Sequence, residues 1–539
     1  MNFLPRSRLL KRSALFMALL SSLARGQSPK ATTPDPAPAI VERKLAELRH
    51  SPPELYALLY RMPKGGDLHN HLSGAVYAET FIQDAAAHAL CVDNRTLSIE
   101  QPATAPEIHC TEAETPAPRA LEDNQLFGSL IDSLSMRDFV PGRESAHDHF
   151  FATFDKFNAA SSEESGTNAA EVTRRAAEQN ESYLELMAVS GGGRIAALGK
   201  PLDLNAGFEA AALKLRAGLP PLVEQLKTRV DQMERQRREA LRCAAADSPA
   251  CRVAVRYIYQ VLRAFPKNQV FAQVLAGFML ASSDPLVVAI NFVQPEDYLA
   301  SMRDYHDQMQ MIDYARRLYP NVHITLHAGE LASGLVPPEG LRFHIREAIE
   351  IGHAERIGHG VSVMYENDAT GLLALMRERH IPVEINLTSN DLILGVKGND
   401  HPFPVYRKYG VPLALSTDDE GVSRTHLTQE YLRATLTYNL TYADLKQLVR
   451  NSLEYAFVPG ASYWKTADYR ARVAPCTGSL QTHACQEFLN ASEKARLQLD
   501  LEKRFEQFEH ALSAASRPTS PSARPAARSQ AAVPQHPAP

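Results

Sequence analysis

Two histidines one residue apart, His69 and His71, stand in the stretch Asp67-Leu68-His69-Asn70-His71-Leu72-Ser73-Gly74. On a β-strand the two imidazoles point to the same face, because side chains alternate along a strand. One metal ion could therefore contact both rings, while Leu68 and Leu72 point the other way into packing. The alternative is a strand with two exposed polar residues. Residues much further along the chain favour the metal site.

Polar groups follow apolar, β-rich runs at four places in the chain. These groups are His69 with His71, His327-Ala328-Gly329-Glu330, Gly358-His359-Gly360 and Ser416-Thr417-Asp418-Asp419. A single Gly-His-Gly is more typical of a turn, and a single Asp-Asp is more typical of a solvated loop or a helix cap. Four such groups in order, each at a strand end, indicate one shared site.

The pattern around these groups predicts the elements that position them. Short β-rich runs occur at 182–189, 253–260, 285–293, 322–328, 355–359, 381–387 and 411–417. With the first His-x-His strand they make about eight strands, separated by helical stretches that include 206–244 and 302–318. Alternating β and α units predict an α/β fold, a (β/α)8 TIM-type barrel, whose site lies at the C-terminal strand ends. Further helices are predicted at 41–59, 75–88, 426–439, 441–455 and 486–511.

Composition restricts the class of protein. The chain has 539 residues, of which 45% are hydrophobic and 22% are charged, with a net charge of −5. This is ordinary globular composition with ample length for a large core. No basic surface favours nucleic acid or an anionic membrane. Oligomeric state is left open.

The two ends of the chain differ from its middle. Residues 1–26 have a basic region followed by a short apolar run, the layout of a secretory signal peptide. An uncleaved anchor is the alternative, although the run is short for a bilayer. Residues 27–40 are predicted to be a linker, 41–512 the barrel domain and 513–539 a disordered tail. Export to the periplasm or the medium, without stable membrane insertion, is therefore expected.

Six cysteines fit an oxidising compartment, and none forms a metal-binding C-x-x-C. Fifteen pairings are possible. Because short loops close readily, we favour the neighbour pairs Cys91–Cys110, Cys243–Cys251 and Cys476–Cys485. The first pair would staple an irregular insertion after strand 1, over residues 91–146. A second His-x-His, His147 and His149, begins a helical pattern, where positions two apart diverge and cannot share an ion.

The folded region resembles the adenosine deaminase family of barrel amidohydrolases. The matching segments are Met62-Pro63-Lys64 leading into Asp67–Leu72, His327–Glu330, Arg356-Ile357-Gly358-His359-Gly360 and Ser416–Asp419. Weaker matches are Tyr183-Leu184-Glu185, Thr388-Ser389-Asn390 and His401-Pro402. Exported members of the family include adenosine deaminase-related growth factors. In its predicted signal peptide this chain resembles those exported members.

The resemblance implies one catalytic Zn²⁺ held by His69, His71, His327 and Asp418. Three neutral imidazoles and a carboxylate suit this ion, which lowers the pKa of a bound water from about 15.7 towards about 7. By family analogy Asp418 also accepts the water's proton, and His359 orients the water and helps to deprotonate it. Glu330 is the implied proton donor to purine N1, which requires a protonated carboxyl. Asp419 is expected to meet N7.

Three positions depart from the family pattern. Ser73 replaces the usual aspartate after the first His-x-His-Leu, which alters the contact to the ribose 5′ end. Gln294 stands where a glycine amide usually meets purine N3, in the run Asn291-Phe292-Val293-Gln294-Pro295-Glu296-Asp297. Glu420 replaces the proline that usually follows the paired aspartates. The implied metal and proton-transfer residues are complete, whereas the sugar and ring-edge contacts are altered.

The resemblance therefore implies an enzyme that hydrolyses adenosine or 2′-deoxyadenosine to inosine and ammonia, by attack of a metal-activated hydroxide on purine C6. Its partner would be a small purine nucleoside. One alternative is a related amidohydrolase acting on a modified adenine nucleoside or another amino-heterocycle. Another is an extracellular nucleoside-binding protein without turnover. A third alternative is a metal-free barrel in which these histidines are ordinary strand-end residues.

Overall fold

The computed structural model describes residues 36–102, 110–142, 144–161, 166–245 and 248–515. Eight parallel strands in this part of the chain follow one another around a single sheet. Strands β1 to β8 are Gly66–His71, Tyr183–Val189, Ala254–Leu262, Val287–Val293, His323–Ala328, Arg356–His359, Val383–Ile385 and Leu413–Leu415.

The first and last strands meet at a seam that closes the sheet. Asn70 forms a parallel bridge with Asp418. The His71 N–H donates to the Asp418 carbonyl at 3.1 Å, and the Asp418 N–H donates to the His69 carbonyl at 2.8 Å. The predicted (β/α)8 barrel is confirmed.

The strands lie where the sequence predicts them because they are covered on both sides. Every residue of β2 is buried, and so is every residue of β1, β6, β7 and β8. Buried parallel strands typically have continuous apolar sequences, the pattern that located all of these strands except β1, which its His-x-His alternation located. Their core-facing side chains and the surrounding helices form the main hydrophobic cluster.

Helices connect the strands and surround the barrel. Those between β1 and β8 are Leu72–Ala75, Ala78–Ala87, Asn124–Ser133, Ala146–Phe157, Gly166–Glu178, Gly192–Gly199, Phe208–Leu215, Leu219–Ala240, Lys267–Ala281, Leu299–Arg303, Tyr305–Leu318, His344–Glu350, Ala369–Glu378, Leu387–Leu394 and Phe403–Tyr409. Outside this span are Pro36–Leu48, Pro52–Arg61, Leu427–Tyr438, Tyr442–Glu454, His483–Ala491 and Glu493–Ala515. None of these helices combines the length and the apolar content needed to cross a bilayer.

Several predicted helices are divided. The predicted helix 41–59 is two helices, Pro36–Leu48 and Pro52–Arg61. Proline fits the first turn of a helix but removes an amide donor from its interior, so Pro52 and Pro53 start a new helix. The stretch 206–244 divides in the same way ahead of Pro220 and Pro221. The stretches 302–318 and 486–511 divide at Asp304 and Ser492.

The insertion after β1 is more ordered than predicted. Its described part contains a three-stranded antiparallel sheet and the helix Asn124–Ser133. The strands Cys91–Asp93, Ile99–Glu100 and Glu114–Pro116 are too short for an alternating pattern to reveal them. A second hydrophobic cluster joins the insertion to Ile393 and Val422, which follow β7 and β8. The insertion therefore packs beside the C-terminal end of the barrel.

The three favoured cysteine pairings, Cys91–Cys110, Cys243–Cys251 and Cys476–Cys485, are confirmed. The first helix begins at Pro36, so the linker predicted over 27–40 is too long by five residues. The last helix continues to Ala515, three residues into the predicted tail. The predicted signal peptide, residues 1–26, and residues 516–539 lie outside the described ranges.

Candidate active site

Left-handed backbone marks the C-terminal ends of four barrel strands. Gln294 follows β4 with φ of 80°, Gly329 follows β5 with φ of 75°, His359 ends β6 with φ of 67°, and Asp418 follows β8 with φ of 60°. Only glycine takes this conformation without cost, and strained residues tend to cluster at functional sites. Three of these four residues are predicted site residues, so backbone geometry and side-chain chemistry point to the same end of the barrel.

Four buried side chains from three strand ends form one cluster of metal-ligand type, namely His69, His71, His327 and Asp418. The Nε2 atom of His327 lies 3.1 Å from the Nε2 atoms of both His69 and His71. Asp418 Oδ1 lies 3.4 Å from these same two nitrogens of His69 and His71. The structure thus brings together all four residues predicted to hold a metal.

Each imidazole of the cluster is oriented through its other nitrogen. His69 Nδ1 lies 2.7 Å from the Glu384 carboxylate, and His71 Nδ1 lies 3.2 Å from Gln260 Oε1. Asn291 Oδ1 accepts the backbone N–H of His327 at 3.0 Å and lies 3.0 Å from its Nδ1. Because a carboxylate and an amide oxygen only accept, each Nδ1 is the donor.

This tautomer leaves three Nε2 lone pairs facing one point beside a carboxylate oxygen. No hydrogen-bond donor remains on the neutral rings to join them, so a cation with nitrogen and oxygen ligands fits the donor set. Burial lowers the pKa of His71 to about 4, and it holds that of His327 well below its usual value. These two rings are therefore neutral, as ligation requires.

A buried charge network supports His69 from behind. Glu384 Oε1 accepts from Arg356 Nε at 2.5 Å, and Arg356 Nη2 donates to Glu185 at 2.6 Å. Burial raises the pKa of Glu384, but Arg356 and His69 outweigh it and lower that pKa to about 2. An ionised partner on Nδ1 makes the ligating nitrogen of His69 more basic.

His359 lies beside the cluster, and a chain of hydrogen bonds sets its tautomer. The backbone N–H of Phe403 donates to His401 Nδ1 at 3.1 Å, so the Nε2 of His401 is its donor to Asn390 Oδ1 at 3.0 Å. The Asn390 amide in turn donates to His359 Nδ1 at 2.9 Å. The remaining N–H of His359, on Nε2, lies 3.9 Å from Asp418 Oδ2.

Glu330 and Asp419 complete the site as buried carboxyls with raised pKa values. Glu330 Oε1 lies 3.5 Å from His359 Nδ1. Burial raises the pKa of Glu330 well above its usual value, and the negative charges of Asp418 and Glu296 raise it further. The pKa of Asp419 is also raised well above normal by burial and by Asp418. These shifts favour the protonated form of both carboxyls, in which each can donate a hydrogen bond.

Gly74 makes room for Asp419. A Cβ atom at position 74 would lie 1.7 Å from Asp419 Oδ1, an impossible distance. That oxygen is buried and has no hydrogen-bond partner among the described residues. A buried acceptor or donor without a partner is costly, which makes Asp419 available to a ligand.

Two of the three altered positions, Ser73 and Gln294, lie near the same strand ends. Ser73 is half-buried in the helical turn Leu72–Ala75 that follows β1. The side-chain oxygen of Gln294 accepts the backbone N–H of Ala264 at 3.0 Å, so this side chain is held against the end of β3. Asn386, after β7, has a buried Oδ1 without a partner in the described part of the chain.

Sequence reasoning missed the residues that orient the ligands, Gln260, Asn291 and Glu384. Each is a polar residue inside an apolar strand, and a buried polar group in such a place needs a specific partner. Glu384, a carboxylate within Val383–Ile385, was the strongest available signal. Its partners come from strands far away in sequence, so their identity could not be read from the chain.

The second histidine pair does not form a site of this kind. His147 Nε2 lies 3.1 Å from Asp297 Oδ1, whereas His149 Nδ1 lies 3.0 Å from Glu144 Oε2. Neither belongs to a cluster of potential metal ligands in the described residues. The two rings leave the helix Ala146–Phe157 towards different partners, as predicted.

Comparison with known structures supports the fold. A zinc-bound amidohydrolase from Burkhoderia ambifaria is 17% identical, with a TM-score of 0.51 over 85% of this chain and 95% of that one. ADAL from Arabidopsis, solved with IMP, is 17% identical, with a TM-score of 0.50 over 84% of this chain and 99% of that one.

Sequence comparison matches part of the chain to a known family. The adenosine deaminase profile matches residues 218–468. An adenosine deaminase from Clostridium perfringens strain 13 is 36% identical over 135 residues, 25% of this chain and 37% of that protein. One from Vibrio atlanticus is 30% identical over 202 residues, 37% of this chain and 55% of that protein. The matches thus span between about a third and just over half the length of these relatives. Residues 218–468 thus carry the match to the adenosine deaminase family, and the ligand cluster and barrel of the chain are similar to that family.

Proposed function

We propose that this protein is a zinc-dependent hydrolase that converts adenosine or 2′-deoxyadenosine, with water, into inosine and ammonia. The observation that carries the proposal is the cluster of Glu330, His359 and Asp418, whose ligand-type atoms all lie within 4.8 Å of one another, and which shares Asp418 with the four-residue ligand cluster. An acid, an orienting imidazole and a base therefore lie beside one metal site. Further support comes from the family and from relatives that are adenosine deaminases.

The ligand cluster fits zinc, whose preferred ligands are imidazole nitrogen and carboxylate oxygen. His69, His71, His327 and Asp418 would hold the ion, and Glu384, Asn291 and Gln260 would fix the three rings. When bound, zinc supplies a Lewis acid that brings the pKa of water towards about 7. The zinc found in the Burkhoderia ambifaria amidohydrolase is consistent with this assignment.

Glu330 is the general acid of the proposed reaction. Its buried, protonated carboxyl can donate to purine N1 as C6 is attacked, which removes negative charge from the ring. A carboxyl in water would be ionised at pH 7 and could not do this. Burial beside Asp418 and Glu296 is therefore part of the chemistry.

Asp418 is the proposed base, and His359 orients the attacking water. Ser389 Oγ donates to Asp418 Oδ2 at 2.6 Å, which fixes the carboxylate. Burial opposes ionisation of Asp418, but the nearby His69, His359 and His71 outweigh it and hold its pKa well below the usual value. The tautomer set by Asn390 gives His359 an N–H on the Asp418 side, so we assign it a donor role.

Asp419 and Ser73 bear on selectivity. A protonated Asp419 can donate to purine N7, which only accepts. Ser73 is shorter than aspartate and uncharged, and a neutral hydrogen bond contributes about 0.5–1.5 kcal/mol against about 1.5–3 for one to a charged group. We therefore propose that the enzyme discriminates more strongly between substrates that differ at purine N7 than between substrates that differ at the ribose 5′ position.

The test is ammonia release by purified, zinc-loaded protein from adenosine, 2′-deoxyadenosine, 5′-deoxyadenosine and 7-deazaadenosine. We expect kcat/KM for the 7-deaza compound to fall at least about tenfold, equivalent to about 1.4 kcal/mol, and that for the 5′-deoxy compound to fall less. The reverse order would withdraw the role of Asp419. Binding of adenosine without ammonia release would favour a silent nucleoside-binding protein, and turnover of other amino-heterocycles alone would favour the related amidohydrolase.

We also propose that the protein is exported. The basic and apolar order of residues 1–26 and the three disulfides support this proposal. N-terminal sequencing of protein from the exported fraction should find a start after Ala24, and thiol titration should find no free thiol. A cytosolic protein that starts at residue 1 would contradict export without affecting the proposed chemistry.

A further inference from the structure

Glu296 is a fully buried carboxylate that contacts the turn between β5 and Glu330. One of its oxygens accepts the backbone N–H of Gly329 at 3.0 Å, and the other accepts the backbone N–H of Glu330 at 2.7 Å. His344 Nδ1 donates to the first oxygen at 2.5 Å. In the proposed reaction its negative charge helps to raise the pKa of Glu330, but its hydrogen bonds to the backbone have no role there.

We propose that Glu296 is a positioning residue, whose carboxylate holds the Gly329–Glu330 turn so that the Glu330 carboxyl meets the substrate ring. The inference rests on the proposed function, because it acts through the proton donor of that reaction. Glu296 itself need not touch the substrate.

The backbone explains why a carboxylate is needed. Gly329 has φ of 75°, and the change from ordinary to left-handed backbone turns two successive N–H groups towards one point. Such a pair forms a small anion-binding nest. Each oxygen of Glu296 satisfies one of the two buried donors, so both oxygens must be acceptors. A glutamine would place an NH2 group against one of the N–H donors.

Glu296 is held by groups that do not belong to the site. His344 stacks on Tyr305 with ring centroids 4.0 Å apart, which fixes the imidazole. Burial raises the pKa of Glu296, but His344 and Arg263 outweigh it, so this pKa lies below the usual value. The nest therefore meets an ionised carboxylate with a fixed orientation.

Glu366 offers a matched control. It is also a buried glutamate that accepts a backbone N–H, from Ile345 at 2.6 Å. Its neighbour Ile345 follows His344, so the two glutamates support the same region of the chain. No hydrogen bond joins Glu366 to Gly329 or Glu330 among the described residues.

The experiment compares Glu296→Gln, Glu296→Asp and Glu366→Gln in the zinc-loaded full chain, with metal content and Tm measured for each. We expect Glu296→Gln to lower kcat by about 10–100-fold with KM within about threefold and with normal metal content. Glu296→Asp keeps two acceptor oxygens and should recover part of kcat. Glu366→Gln should keep wild-type kcat even where it lowers Tm.

A double-mutant cycle tests whether Glu296 acts through Glu330. If it does, Glu296→Gln adds no further loss of kcat in a Glu330→Gln background. Full additivity, wild-type kcat in a folded Glu296→Gln variant, or an equal loss in Glu366→Gln would overturn the inference alone. An inactive wild-type protein on every adenine nucleoside would overturn the proposed function, and this inference with it.

Discussion

Two His-x-His segments with the same spacing differ in their surroundings: one contributes to the ligand cluster and the other does not. On β1, His69 and His71 both approach His327 Nε2 to 3.1 Å. On the helix Ala146–Phe157, His147 and His149 contact Asp297 and Glu144, on different sides. All four histidines are buried. Burial and spacing therefore do not distinguish a metal ligand from a structural histidine.

The two segments differ in the direction of successive side chains, which the secondary structure sets. They also differ in whether one nitrogen of each ring is left without a hydrogen-bond acceptor. A strand brings side chains two apart to one face, whereas a helix separates them. On β1, an acceptor takes each Nδ1 and leaves Nε2 directed at a shared point. On the helix, His147 and His149 have both nitrogens engaged by carboxylates or by backbone carbonyls. A ligand histidine is thus one with a free nitrogen that faces others like it.

Removal of one ring from each pair should give the largest contrast. His69→Ala takes away a ligand and should lower metal content to near zero and kcat/KM by about a thousandfold or more. His147→Ala should leave metal content unchanged. Metal analysis by mass spectrometry and the ammonia assay measure both. Full activity in metal-free His69→Ala would refute the ligand assignment.

Substitution of the Nδ1 partners should give an intermediate contrast. Glu384→Gln removes the negative charge behind His69 and should weaken zinc affinity by about 10–100-fold. Glu144→Gln changes the partner of His149 and should leave the affinity as it is. Competition with a chelator of known affinity measures the zinc Kd of each variant. Equal Kd values for the two variants would show that the support behind His69 does not matter.

The helical pair should report on stability. His149→Ala deletes the hydrogen bonds from Nε2 to the carbonyls of Asp132 and Ser135, at 3.3 and 3.2 Å. We expect a loss of about 1–2 kcal/mol in the free energy of unfolding, with metal content unchanged. Denaturant unfolding, fitted to a two-state transition, provides the measurement. A loss of metal in this variant would mean that the insertion shapes the metal site.

The smallest effect should depend on pH. Burial lowers the pKa of His147, but hydrogen bonds to Asp297 and Asp148 outweigh it and raise this pKa above 6.5. The stabilisation is therefore complete below pH 6.5 and is lost as the pH rises through the folded-state pKa. The free energy of unfolding of the wild-type protein should exceed that of His147→Asn by less than about 1 kcal/mol at pH 5.5. At pH 9 the two values should be equal. A gain that grew with pH would refute the charged pair.

The parts of the fold that sequence could predict are those whose physics is local. Seven β-rich runs and the His-x-His alternation of β1 placed the eight barrel strands, most of which are buried on both faces. Helix boundaries were predicted less well where paired prolines start a new helix inside a long apolar pattern. The small sheet in the insertion was not predicted, because strands of two or three residues are too short to show an alternating hydrophobic pattern.

The candidate site divides along the same line. The four ligand-type residues and Glu330 stand at strand ends, where residue type and position predict a shared site, and the family resemblance implied the role of each. Asn291, Gln260 and Glu384 act through contacts across the barrel, so only the assembled fold reveals them. The role inferred for Glu296 is of the same kind, since its partners come from β5 and the helix His344–Glu350.

The seam between β1 and β8 determines when the proposed metal site becomes complete. The amide of Asn70 donates to the hydroxyl of Thr417, 347 residues later in the chain. During synthesis, His69 and His71 emerge from the ribosome long before Asp418 is added to the growing chain. Such a chain offers an incomplete and flexible ligand set, so a tight site can appear only after the last strand has closed the barrel. Metal content therefore reports completion of the whole fold, and a truncated or stalled chain should not compete for the ion.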